Sequence, residues 1–271
     1  MNTYRRFTCV NRSVNFYLNQ TSKVDTELII FNTDTDYPIE LDSKLTERAN
    51  SLNKRIRVVN NNTDQETGQP YTNIGSIRRD SLNYAEGEYY ICWDDDDIFL
   101  PWHIEQGIQK IINNSDNIWA WKPHTSMYWP PERKPELACN YMEASIIINV
   151  EKLREAGFFN HQGGGEHLRW VDLFSKQKKL YIDKEVIPSY CFNWNDQGLM
   201  RGHKQSGTID RPDNFTFHKI NTKDYATGRV TGDIPVEEIY NLHIETIKNN
   251  IDKVQSDGYV IKRELVEKFI V

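Results

Sequence analysis

Four consecutive aspartates, Asp94 to Asp97, directly follow the apolar run Tyr89-Tyr90-Ile91-Cys92-Trp93 and precede Ile98-Phe99-Leu100-Pro101. A short run of β-prone residues predicts a buried strand, so the carboxylates fall at its C-terminal end. In open α/β sheets, ligands bind just beyond the strand ends. Carboxylates packed this closely repel one another unless a cation neutralises them. Hard oxygen ligands suit Mg²⁺ or Mn²⁺, ions that keep several waters and bridge to substrate phosphates. A solvated acidic turn is the competing reading. The apolar segments on both sides weigh against it and favour a metal–diphosphate site.

The chain has 271 residues, enough for one large α/β domain with an appendage or for two small domains. A formal net charge of −6 supplies no overall attraction toward nucleic acid or anionic membrane. No stretch approaches the ~20 apolar residues that span a bilayer. Residues Met1 to Asn11 carry arginines without a following apolar region, unlike a secretory signal. Cys9, Cys92, Cys139 and Cys191 lie far apart and match neither zinc spacing nor a disulfide scaffold. Buried thiols in a reducing cytoplasm are expected.

Strand and helix signals alternate through the first half, which predicts a mostly parallel sheet flanked by helices. Strands are expected at Phe7–Val10, Glu27–Phe31, Ile56–Val59 and Tyr89–Trp93, and helices at Ser13–Gln20, Ser43–Asn53 and Asn73–Ala85. The second half is less regular. Ile118–Trp121, Ala144–Val150, Leu180–Ile182 and Val186–Phe192 read as strands, Met127–Pro135 as a loop, and Glu166–Lys178 as a helix behind a triglycine segment. Asn193 to Asp213 is polar and turn-rich. Apolar residues at Val236, Tyr240, Ile244, Ile247, Ile251 and Val254 give a helical period, with Asp233 as cap and Pro235 in the first turn. That helix either packs back on the domain or pairs with a second copy.

The block Ala85-x-Gly87-Glu88-Tyr89 followed by Asp94-x-Asp96-Asp97, with Pro101 shortly after, resembles the signature of the family 2 glycosyltransferases. Weaker matches extend the resemblance over roughly residues 5 to 205. Asn11-Arg12 falls where the family has its Tyr-Asn-Arg turn after the first strand, and Gln20 matches the glutamine closing the first helix. Glu27–Phe31 looks like the second strand, while Asn73-x-Gly75 and Arg79-Asp80 are similar to the segment near the nucleotide. Two positions depart from the pattern. Asn32 stands where an aspartate usually faces the base, and Glu166-His167 stands where the family has Glu-Asp.

The resemblance implies a Rossmann-like GT-A fold over residues 1–215, with a C-terminal helical extension over 216–271. It implies transfer of a sugar from a nucleotide-diphosphate sugar to a hydroxyl acceptor such as a glycan, with inversion and with Mn²⁺ or Mg²⁺ as cofactor. Cys9, Asn11, Arg12, Asn32, Asp34, Asn73, Arg79, Asp94 and Asp95 are then donor-binding candidates. Asp96 becomes the first metal ligand, with Asp94 and His203 as further ones and Asp97 as an orienting neighbour. An arginine fork matches phosphate oxygens. The adjacent Arg78 is expected to face solvent.

Deprotonating an acceptor hydroxyl requires a general base. Glu166 is the first candidate, because the triglycine segment leads into it. His167 occupies the position of the family's Asp, and Asp172 points roughly 120° away from the face of Glu166. Trp121, Tyr128 and Trp129 make either a stacking platform or core. Among alternatives, a viral enzyme glycosylating hydroxymethylated DNA bases would act in host cytoplasm and use Lys204, Arg211, His218, Lys219 and Lys223 as a phosphate track. A nucleotidyltransferase usually has a glycine-rich loop after its first strand, whereas Thr8 to Arg12 contains no glycine. A non-catalytic nucleotide-sugar-binding module is the third alternative.

Overall fold

The computed structural model describes residues 1–4, 7–114, 117–129, 134–140, 143–157, 168–193, 234–253 and 260–270. The first half contains β1 (Asn2–Thr3), α1 (Phe7–Leu18), β2 (Glu27–Asn32), α2 (Ser43–Ser51), β3 (Arg55–Asn60), α3 (Ile74–Leu82), β4 (Tyr89–Ile91), β5 (Ile98–Phe99) and α4 (His103–Ile112). Next come β6 (Ala120–Pro123), β7 (Thr125–Trp129), β8 (Glu136–Cys139), a 3₁₀ turn at Glu143–Ser145, β9 (Ile147–Asn149) and α5 (Val150–Glu155). The order closes with α6 (Leu168–Lys176), β10 (Leu180–Asp183), β11 (Tyr190–Asn193), α7 (Val236–Lys248) and α8 (Arg263–Phe269).

Three sheets organise these strands, in the orders β1-β2-β3, β10-β6-β9-β4 and β5-β11-β7-β8. The first is wholly parallel, and β2 is its middle strand; all of β2 beyond Glu27 is buried, as an apolar run covered on both faces should be. The other two mix parallel and antiparallel pairs. The expected α/β class is the class observed.

The chain passes between the four-stranded sheets at several points; the single residue His124 links β6 to β7, and the segment from Cys92 to Asp97 links β4 to β5. The aspartates therefore occupy a corner where the chain leaves one sheet for the other.

Local chemistry sets the helix ends. The Asp42 side chain accepts from the Lys44 amide at the start of α2, and Asn73 accepts from Ser76 at the start of α3. The Lys54 ammonium donates to the carbonyls of Tyr17, Leu18 and Gln20 at 2.8–3.1 Å, closing the C-terminal end of α1. Gln20 donates to the Leu100 carbonyl and accepts from the Ile104 amide, so it ties that same end to the start of α4.

Several expected elements differ. Phe7–Val10 is the first part of α1, not a strand, because burying Val10, Val14, Tyr17 and Leu18 at helical spacing outweighs the β propensity of Phe, Thr and Val. Asn11-Arg12 consequently lies inside a helix and not in a turn after the first strand. Thr125–Trp129 is a strand where a loop is expected from Met127, since the aromatic residues there fill the core. Trp121, Tyr128 and Trp129 are all buried and form no open platform. Pro235 caps α7 from outside its first turn, and Asp233 lies outside the described residues.

The apolar face of α7 packs back on the body of the protein. Tyr240 meets Phe16 of α1, and His243 meets Trp129 of β7 edge to face. Ile239 and Ile247 of α7, with Ile261 and Val266 further on, belong to the same apolar cluster as β2 and α4.

α4 lies tightly on β6 and β9. A Cβ at Gly107 would approach Ile147 Cδ1 and Trp121 Cε3 to 2.5 Å. Gly107→Val should therefore lower stability by about 1–3 kcal/mol, the usual range for overpacking a core. Urea unfolding with an unchanged midpoint would show that the contact relaxes at no cost.

Candidate functional site

The corner carrying Asp94 to Asp97 is closed by its own flanks. Trp93 and Phe99 stack on each other with ring centroids 3.9 Å apart and planes 13° from parallel. The Trp93 indole N–H donates to Ser13 Oγ on α1 at 2.8 Å. Stacking residues on either side of the segment from Asp94 to Ile98 fix its width, and the bond to α1 fixes its place.

Arg12 then holds the main chain of that loop. Its guanidinium is 2% exposed and donates from Nη2 to the carbonyls of both Asp95 and Asp96 at 3.2 Å. The Asn193 side chain donates to the same Asp96 carbonyl at 2.9 Å. A buried cation is tolerated here because main-chain carbonyl dipoles face it.

The four carboxylates meet different surroundings. Asp94 receives both its oxygens' contacts from Arg78 Nη2 at 3.2 and 3.3 Å. Arg78 is thus buried in an ion pair and does not face solvent as expected, because it shares the inward stripe of α3 with Gly75 and Leu82. Asp97 is enclosed, accepting from the Tyr190 hydroxyl and from the Asn193 amide at 3.1 Å. Burial pushes the Asp97 carboxyl well above the usual carboxylate range, and the charges of Asp96 and Asp94 push it further. Asp95 and Asp96 are buried beside these two.

Among the described residues, no group of three or more His, Cys, Asp or Glu side chains is arranged to hold a metal ion alone. Asp94 is engaged by Arg78 and Asp97 by Tyr190, so a metal ion at this corner could draw on only one or two of the carboxylates. That is how Mg²⁺ is commonly bound. Asp96, with Asp94 beside it, is the pair that would hold it.

The remaining candidates fall into three places. Asn32 and Asp34 end β2, where the Asn32 amide donates to the carbonyls of Asp34 and Tyr37 and to Asn60 Oδ1, while its oxygen accepts from the Asp34 amide. Every polar atom of that amide holds the loop after β2. Asn73 caps α3, and Arg79 turns away from the acidic corner toward Asp80 and Asp64 at 2.7 Å and toward Glu66. Those contacts raise Arg79 above its ordinary value, with Asp80 contributing most. Burial would push Asp64 up, but Arg79, Ser76 and two loop amides draw it down to about 2.

On α1, Cys9 is buried and Asn11 is exposed. Asp172 faces outward on α6, 2.6 Å from Lys176, while Trp170 and Phe174 face the core. Glu166, His167 and His203 lie outside the described residues, as do Lys204, Arg211, His218, Lys219 and Lys223. Of the candidates, then, Arg12 joins Asp94, Asp95 and Asp96, whereas Arg79 does not. Arg78, Tyr190 and Asn193 were missed. The apolar period of α3 marks Arg78 as inward; nothing local marks Tyr190 or Asn193, which are more than ninety residues from Asp97.

Comparison with solved structures finds S. aureus TarS, at 14% identity and a TM-score of 0.47 over 71% of this chain and 35% of that one. TarS 1-349 in complex with UDP and in complex with UDP-GlcNAc is found at 15% and 14% identity, each with a TM-score of 0.48. This chain spans 58% and 56% of those two chains. No protein-family model and no curated protein matches the sequence.

The environment of Asp97 has a pH signature. A carboxyl raised in the folded state keeps its proton where the unfolded chain has lost it, so the contribution of Asp97 to stability is full below about pH 4 and falls as pH rises above that. Asp97→Asn should flatten this decline between about pH 5 and 8, read as urea midpoints at several pH values. Parallel pH profiles for the two proteins would show that Asp97 is ionised in the native state.

Proposed function

We propose that this protein transfers a sugar from a nucleoside-diphosphate sugar to a hydroxyl acceptor, with Mg²⁺ or Mn²⁺ at the acidic corner. The observation that carries the reading is the corner itself. It presents closely packed carboxylates at the C-terminal end of β4, with their main chain anchored by a buried guanidinium. A solvated acidic turn would have neither the buried anchors nor the stacked flanks. The family resemblance of the block from Ala85 to Asp97 supports the same reading.

A bound divalent ion supplies positive charge against the charge that develops on the departing diphosphate. Asp96 is assigned to hold the ion, and Asp94 to a ribose hydroxyl or a metal-bound water, its orientation set by Arg78. Arg12 and Asn193 act by keeping the Asp96 main chain in place, so that its carboxylate does not reorganise during the reaction.

The acceptor hydroxyl oxygen bonds to the anomeric carbon as the bond to the diphosphate oxygen breaks. Its proton passes to a base just ahead of α6 or on it, with Glu166 first and His167 and Asp172 next. A single in-line displacement inverts the anomeric centre. A glycan is the assigned acceptor.

A panel of nucleotide sugars, each tested with and without Mn²⁺, should contain a donor that raises the melting temperature only with the metal. Asp96→Ala should abolish that rise while the variant stays folded. Unchanged Mn²⁺-dependent affinity in Asp96→Ala, by calorimetry, would remove the ion from Asp96. With the donor known, Glu166→Gln should keep donor affinity and lose roughly 10²–10⁴-fold in kcat. A collapse in Asp172→Asn instead would move the base there, and NMR of the first-formed anomer checks inversion.

A further inference from the structure

The Asp96 carbonyl has two side-chain anchors, Arg12 from α1 and Asn193 from β11. Each anchor has an aromatic neighbour. The Arg12 guanidinium carbon lies 5.8 Å from the centre of the Phe16 ring, one turn further along α1. Asn193 stands beside Trp129 in the parallel ladder of β11 with β7, so the two side chains leave the same face of that sheet.

Phe16 and Trp129 are buried, and each meets one ring of α7. Tyr240 lies 5.6 Å from Phe16 with the planes 38° apart, and His243 lies 5.5 Å from Trp129, edge to face. Residues three apart on a helix are neighbours on one face. One face of α7 therefore bears on both anchors of a single carbonyl, although the anchors come from distant parts of the chain. Rings in tilted and edge-to-face contact favour particular mutual orientations, which aliphatic contacts do not. His243 packs as an uncharged ring, because burial pushes it down to about 4. Its Nδ1–H donates to the Ile239 carbonyl at 2.7 Å, which sets the rotation of the ring.

We propose that Tyr240 and His243 are positioning residues for the acidic corner. α7 fixes Phe16 and Trp129, these fix Arg12 and Asn193, and the two anchors fix the Asp96 main chain. Phe16 and Trp129 also shield the anchors from water, and hydrogen bonds are stronger in such surroundings. The C-terminal helix thus belongs to the machinery that presents the Asp96 carboxylate. Its importance for catalysis rests on the reading of Asp96 as the metal ligand; the link from α7 to the corner can be measured without it.

The test compares Tyr240→Ala and His243→Ala with Val266→Ala, a cavity variant on α8 in the same apolar cluster. Amide hydrogen exchange at Asp95, Asp96 and Asp97 should quicken in both α7 variants. Mn²⁺-dependent binding of UDP or GDP, by calorimetry, should weaken roughly 2- to 30-fold in them, the usual span for residues that couple to a site at a distance. Val266→Ala should lower the urea midpoint and change neither readout. Tyr240→Phe keeps the ring and should match the unsubstituted protein.

Unchanged exchange at the corner in both α7 variants, or equally quickened exchange in Val266→Ala, would overturn the proposal. An equal effect in Tyr240→Phe would overturn the ring contact as its route. Quicker exchange, in a protein whose unsubstituted form shows no Mn²⁺-dependent nucleotide binding, supports the positioning role and counts against the metal reading alone. If an alanine variant does not fold, Tyr240→Leu and His243→Leu keep apolar volume without the rings, and the same exchange measurement decides.

Discussion

The acidic corner depends on burying one guanidinium, that of Arg12, against the carbonyls of Asp95 and Asp96. Breaking a buried ionic arrangement by removing one partner is strongly destabilising, because the other charges remain without compensation. The corner also joins the strands of the two four-stranded sheets, β4 on one side and β5 on the other. Local electrostatics and the relative placement of two sheets therefore share one anchor. The Trp93–Phe99 stack and the Asn193 side chain reinforce it from the flanks and from β11.

Four adjacent carboxylates cannot all be treated alike in so small a space. Arg78 neutralises Asp94 through an ion pair, and burial favours the protonated form of Asp97. The consequence is a division of labour. Asp97 works as part of the scaffold, bonded to Tyr190 and to the Asn193 main chain. Asp96 lies between anchored neighbours, which suits a carboxylate whose position matters more than its reach. A similar logic holds the loop before α3, where Arg79 gathers Asp64, Glu66 and Asp80. There the cation serves the loop, not the corner.

α7 covers an apolar face of α1 and the strands beside it, contributing Ile239 and Ile247 to the main cluster.

The sequence alone determined the elements whose signals are local. The unbroken apolar run of β2, the polar loop before α3 and the fall of four aspartates at the end of β4 follow from composition and period within a few residues. Gln20 at the end of α1 was legible too, although its bonds to Leu100 and Ile104 were not. Tertiary structure decided the rest. It made Phe7–Val10 helical, because a long amphipathic helix could bury Val10, Val14 and Arg12 together. It chose Arg78 over Arg79 for the acidic corner, because the rotation of α3 against the sheet sends one side chain inward and its neighbour to the loop. It gave Asp97 its partners from β11, ninety-odd residues away. Propensity and spacing act over a turn or a strand, whereas charge burial is settled only when distant elements close around the charge.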